Sequence, residues 1–341
     1  MNLDADGFDH YGTIDYVAKA WAGTPTSIED GKPVAGGLCL AKKAVGLTNT
    51  SIVKVLSTEP STAICGFAFY AGSLNDAVIF SFKSDSTTQI GLQMTSIGTI
   101  RIFRDSTLNI IGTCSGLGIL PSTWNYLEIK CTFDSVVGSV QVRNNGVEVF
   151  SQSGINTDPA NSSLCNAVAL GGAASFPFPA LRFDDYYIND TNGTQDNDFE
   201  GEILIDTFVP KGNATPLDWT PTAGTNYECV DNVPPDETTT YVSSSTSGHI
   251  DAYLGENYIR SIINIHFVRT VNFAQKTGAG AANIKHRISS NSVAVSSDPI
   301  TLTNDFLYSS VLWEKNPDGN VAWTPATISP GNGFNFGPEV E

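Results

Sequence analysis

Asp184 and Asp185 stand side by side in Leu181-Arg182-Phe183-Asp184-Asp185-Tyr186-Tyr187-Ile188, with Tyr186 directly after them. Carboxylates beside an aromatic ring are the groups that hold a sugar, because the ring covers the apolar pyranose face and the carboxylates accept its hydroxyls. Trp124 and Trp219 are the other rings suited to this. The five residues are therefore candidate glycan contacts, against the plainer reading that the rings pack a core or an interdomain contact. Hydrolysis of a glycoside needs two facing carboxylates. Successive side chains of a strand point to opposite faces, so Asp184 and Asp185 are not such a pair by spacing. The two acids are also of the type that binds calcium, but solvated surface acids need no ion, and no metal and no cofactor is expected.

Other reactive side chains are dispersed. Cys39, Cys65, Cys114, Cys131, Cys165 and Cys229 show no CxxC spacing, and His10, His249, His266 and His286 are equally scattered, which disfavours zinc. Buried thiols acting as small hydrophobes fit better. No catalytic residues are expected, and the chain is not expected to be an enzyme.

The elements that must carry these residues are strands. The chain has 341 residues, 41% hydrophobic and 16% charged, with 31 Gly and 17 Pro, a balance that favours short strands and many turns. Its length suggests two domains. The sharpest strands are 63–70, a nearly continuous apolar run expected to be covered on both faces, and 124–133, in which Leu127, Ile129, Cys131 and Phe133 share one face. Segments 138–143 and 147–150 flank Asn144-Asn145-Gly146, the chemistry of a tight hairpin turn. Further strands are expected at 35–40, 51–56, 77–83, 166–171, 202–209, 259–273, 283–289 and 307–313. In 181–188 strict alternation would set Phe183, Asp185 and Tyr187 against Asp184, Tyr186 and Ile188. The polar stretch 189–198 is the expected boundary, with domains 1–198 and 199–341.

The net charge of −17 repels phosphate, so direct nucleic-acid binding is not expected. No apolar run reaches the roughly 20 residues that cross a bilayer, so no membrane partner is expected. The first residues lack the pattern of a secretory signal.

Leu127 to Phe150 followed by Phe183-Asp184-Asp185-Tyr186-Tyr187-Ile188 resembles the second half of a concanavalin A-like (laminin G-like) jelly roll. Gly201-Glu202-Ile203, Pro210-Lys211-Gly212-Asn213, Trp219-Thr220-Pro221, Asn226-Tyr227-Glu228 and Pro234-Pro235-Asp236 resemble a downstream module of tailed-phage virion proteins, as does Trp313-Glu314-Lys315-Asn316-Pro317-Asp318-Gly319. The resemblance covers about half the chain in pieces. It implies an all-β chain of two antiparallel β-sandwich (jelly-roll) domains, the second with a C-terminal arm. It also implies a bacteriophage structural protein, assembled in host cytoplasm and exposed on the virion as capsid decoration, fibre or tail accessory. Its partners would be other virion proteins and further copies of itself as a homo-oligomer. Adhesion to host surface polysaccharide is the alternative. Glycoside hydrolases of this jelly-roll type carry Glu-x-Asp-x-x-Glu on one strand, and no such string occurs here.

Overall fold

The computed structural model describes residues 1–33, 42–116, 118–256 and 264–341, and they form two compact units built almost wholly of antiparallel strands. The expected strand at 35–40, with Cys39, and the start of the one at 259–273 lie outside the described residues.

The first unit comprises Met1–Asp9, Thr13–Pro33 and Lys42–Ile205. Its strands are β1 (Asn2–Asp6), β2 (Ala22–Gly23), β3 (Ser27–Asp30), β4 (Lys43–Leu47), β5 (Ser51–Val55), β6 (Thr62–Ala71), β7 (Ala77–Ser84) and β8 (Thr87–Met94). Then come β9 (Ile100–Arg104), β10 (Asn109–Thr113), β11 (Trp124–Thr132), β12 (Gly138–Asn144), β13 (Val147–Ile155), β14 (Ala167–Gly171) and β15 (Leu181–Asp190). An eight-stranded sheet runs β13-β12-β11-β6-β15-β4-β3, with β1 added along β15, and a seven-stranded sheet runs β10-β9-β8-β7-β14-β5-β2. Hairpin runs stay within one sheet, β7 to β10 in one and β11 to β13 in the other, while β4 to β5 to β6 to β7 and β13 to β14 to β15 cross between the two, as in a sandwich. The core lies between them: Phe67 stacks on Phe80 with centroids 5.4 Å apart, and Phe82 meets Phe133 edge-on at 5.5 Å. Burial of these rings, each of which removes well over 100 Å² from water, is the main force holding the layers together.

Local sequence signals act as expected in the hairpin, where Asn145 and Gly146 have φ of 50° and 76°. Two consecutive positive φ angles make the turn whose twist matches the strands it joins. β6 is buried on both faces, one by the opposite sheet and the other by residues 199–205, which follow the polar stretch and stay with the first unit. The strand expected at 202–209 does not form. Its Ile203 is buried against the sheet face and its Ile205 backbone bonds to a side chain, so these residues strap the sheet and do not join a ladder.

The second unit contains His10–Gly12 and Asp206–Glu341. Its strands are β16 (Gly212–Leu217), β17 (Thr220–Pro221), β18 (Val242–Ser243), β19 (Asp251–Leu254), β20 (Val268–Ala274), β21 (Asn283–Ser290), β22 (Val293–Ser296), β23 (Ile300–Thr301), β24 (Leu307–Trp313) and β25 (Asn335–Val340). A six-stranded sheet, β16-β19-β25-β21-β22 with β23 on β21, faces the two-stranded ladder β20-β24. Val268 and Trp313 of that ladder pack on a core of Ile288, Trp323 and Phe334.

Candidate functional site

The outer face of the eight-stranded sheet carries the polar and aromatic side chains that the core excludes. Register lines them up in rows across the strands. In one row Trp124 of β11 lies opposite Tyr70 of β6, Tyr70 opposite Arg182 of β15, Arg182 opposite Gly46 of β4, and Gly46 opposite Ser27 of β3. Two residues further in, Tyr126, Ala68 and Asp184 form the next row, and beyond it come Glu128, Gly66 and Tyr187.

Most of this face is closed. Gly201 N–H donates to Glu128 Oε1 at 2.8 Å, Tyr187 OH donates to the same oxygen at 2.7 Å, and Glu200 N–H donates to Tyr187 OH at 3.1 Å. Ile205 N–H donates to Asp185 Oδ1 at 2.9 Å, and the Ile205 carbonyl accepts from Lys42 Nζ at 2.8 Å. Arg143 lies 4.1 Å from the ring centre of Phe199, and Lys130 pairs with Asp198 at 3.0 Å. The strap therefore meets Glu128, Tyr187 and Asp185 with its own backbone N–H groups, and such hydrogen bonds are what make burial of polar side chains tolerable.

Under the strap, Lys42 Nζ lies 2.9 Å from Asp185, 3.3 Å from Asp9 and 3.5 Å from Asp184, and the three carboxylates have no exposed surface. Burial pushes the Asp9 carboxyl up to about 7 despite the ammonium beside it. Burial and the neighbouring Asp185 raise Asp184 as well. Burial alone would depress Lys42, but Asp185, Asp184 and Asp9 outweigh it and hold the ammonium charged. One cation thus neutralises part of a group that would otherwise repel itself.

Asp184 and Asp185 reach the same lysine because alternation fails between them. Asp185 has φ of 47°, and the β15–β6 register shifts between Asp184 and Tyr187. A bulge inserts one residue and reverses the faces beyond it. Tyr186 accordingly turns inward and meets Trp21 edge-on at 5.1 Å, while Tyr187 turns outward to Glu128. This corrects the expected alternation: Asp184 and Asp185 act together, and Tyr186 is a core ring. None of the three presents a surface to solvent.

Trp124 is half-buried on the part of the face that the strap leaves open. Its ring lies 5.5 Å from that of Tyr70 at 49°, and the Arg182 guanidinium sits 5.0 Å from the Tyr70 centroid. Arg182 is paired with Glu29 at 3.3 Å, and Lys32 pairs with Glu202 along the border with the strap. Trp219 belongs to the second unit. Its backbone N–H donates to Asp251 Oδ1 at 2.8 Å and its Nε1–H to the His249 carbonyl at 3.2 Å, so it is tied into that unit's own hydrogen bonds. Sequence reasoning missed Tyr70, Arg182, Glu29, Lys42 and Asp9. Tyr70 ends the apolar run of β6 with a polar tip, a readable signal; the others converge only through sheet register.

No family model matches the chain, and no curated protein matches it. Among solved structures, alginate lyase Aly36B is similar over 55% of this chain and 96% of its own, with 12% identity and a TM-score of 0.41. The carbohydrate-binding module CBM66 from Bacillus subtilis is similar over 50% of this chain and 96% of its own, with 11% identity and a TM-score of 0.32. A mutant of Trypanosoma rangeli sialidase displaying trans-sialidase activity matches 50% of this chain and 31% of its own, with 8% identity and a TM-score of 0.32. At these values neither substrate nor mechanism passes to this chain. The expectation that it is not an enzyme is nonetheless corrected, because two of these three structures are of enzymes and the absence of one acidic string gives no ground for excluding catalysis.

Proposed function

We propose that the first unit is a carbohydrate-binding β-sandwich that contacts its ligand through Trp124, Tyr70 and Arg182. The observation that carries this reading is the open row itself, two half-exposed rings 5.5 Å apart with a guanidinium over one of them. The rings offer apolar faces to the C–H side of a sugar, and Arg182 and Glu29 offer a donor and an acceptor to its hydroxyls. Asp184, Asp185 and Tyr186 support the row from beneath and do not touch the ligand. A glycan panel followed by calorimetry tests this: Trp124→Ala should weaken binding at least tenfold, about 1.4 kcal/mol or more. Unchanged affinity would remove the site, and scoring the same panel for cleavage shows whether binding leads to turnover.

The resemblance to tailed-phage virion proteins supports a setting on a particle, with host surface polysaccharide as ligand and other virion proteins or further copies of this chain as neighbours. Mass spectrometry of purified particles tests that setting. Absence of the chain from them would discard the virion and leave the binding site standing.

A further inference from the structure

Four large apolar side chains stand in solvent on loops at one end of the first unit: Phe176 is 84% exposed, Ile97 81%, Leu120 63% and Phe178 43%. Nothing about packing explains Phe176 and Phe178, because their loop is shaped by other groups. Ala174 N–H donates to Asn49 Oδ1 at 2.9 Å, Ser175 N–H to the Asp76 carbonyl at 2.7 Å, Asn75 Nδ2 to the Pro177 carbonyl, and Gly72 N–H to the Ala180 carbonyl at 3.0 Å. The loop is thus pinned at both ends and in the middle while its two rings point away, edge to face at 5.8 Å. A pinned backbone that displays aromatic rings loses little conformational entropy when a ligand covers them.

The loop rises from the rim next to the open row. Leu181 pairs with Ala71 and Arg182 with Tyr70, so Phe178 is four residues from the row, within about 14 Å even if fully extended. In the opposite direction the strap closes the sheet face at Tyr126, whose ring is overlain by Lys32 at 5.6 Å. A ligand on Trp124 and Tyr70 can therefore extend toward the rim but not along the strands past Tyr126.

We propose that Phe176 and Phe178 form a second aromatic subsite, and that the ligand is an extended polysaccharide chain bound across several rings instead of a single terminal sugar. This rests on the carbohydrate-binding reading of the Trp124 row and adds the direction and length of what is bound. The two subsites act on one chain, so occupation of the first raises the effective concentration at the second.

The test uses the full chain and a size series of the glycan that it binds in the panel, from one sugar to six, read by calorimetry. Wild type should gain at least tenfold in affinity along the series. Phe176→Ser with Phe178→Ser should bind the single sugar as wild type does but lose that gain; Phe178→Tyr, which keeps the ring, should retain it; and Trp124→Ala should weaken every member. A wild type that binds one sugar and six equally, or a double variant that keeps the gain, overturns the second subsite while leaving the first. If wild type binds no glycan, the carbohydrate reading falls and this one with it. If the double variant keeps the gain but loses association with phosphatidylcholine vesicles or with itself, the loop serves a lipid surface or a second copy, and the proposal is wrong.

Discussion

Lys42 replaces a solvent shell for Asp9, Asp184 and Asp185, and its removal should show how costly that arrangement is. Lys42→Met keeps the length of the side chain and deletes the charge, removing the ammonium that sits between three buried carboxylates. The expected loss is about 3–5 kcal/mol at pH 7 in urea unfolding, shrinking at pH 5 as Asp9 and Asp184, whose carboxyls burial pushes up, take up protons. A loss under about 1 kcal/mol would mean that water reaches the cluster. His286 shows the opposite charge logic in the second unit. It is fully buried between Thr270 Oγ1 and Ser309 Oγ, both at 3.0 Å, and burial together with the nearby Arg269 lowers its pKa from 6.5 to about 4. Below pH 6.5 the unfolded chain binds a proton that the folded chain refuses, so this residue's contribution is intact above pH 6.5 and falls as pH drops toward 4. The full loss is about 3 kcal/mol. Thermal unfolding of wild type and His286→Gln from pH 7 to 4 should show a flatter acid limb in the variant, and parallel limbs would refute the assignment.

Strands were readable where their side chains alternate without interruption, and unreadable where one residue breaks the count. The hairpin at Asn145-Gly146 announces itself through residues that tolerate positive φ, yet a register shift after Val142 sets Val142 opposite Phe150, so the valines of the two strands do not face each other as simple counting suggests. The bulge at Asp185 has no such announcement, because aspartate accepts positive φ only occasionally and its neighbours fit either face. That single residue decides which of Tyr186 and Tyr187 enters the core. Trp124 could be found as a ring at the start of an amphipathic strand, whereas the partnership of Lys42 with Asp185 spans 143 positions and exists only once the sheets are assembled. In sequence the strap reads as a strand because Ile203 and Ile205 look apolar enough for one. Its fit depends on Gly201, whose φ of 77° presents its N–H to Glu128 and whose missing Cβ faces open space. Gly201→Ala should therefore cost about 1 kcal/mol through backbone strain alone. Hydrogen exchange should rise over 199–205 and not in β6 or β11. Uniform exchange across the unit would show that the strap is integral to the fold and not a separate layer.

Thirty-five acidic against eighteen basic side chains give the protein a field that acts before any contact is made. The open row does not reverse it locally, since Arg182 is paired with Glu29 and Lys32 with Glu202. A uronate-rich or sulfated chain would approach against this field, while a neutral chain would feel nothing. Salt distinguishes the two. The Debye length falls from about 30 Å at 0.01 M to about 10 Å at 0.1 M, so added salt removes a long-range repulsion while leaving ring stacking untouched. Binding of a neutral polysaccharide should then be constant within a factor of about two across that range, and binding of an acidic one should start weaker and strengthen with salt. Both are measurable as dissociation constants on the same protein. If an acidic glycan instead binds best at low salt and weakens as salt is added, its carboxylates must be meeting Arg182 directly. The Glu29 pairing would then have to open on binding, and Glu29→Gln should tighten the complex.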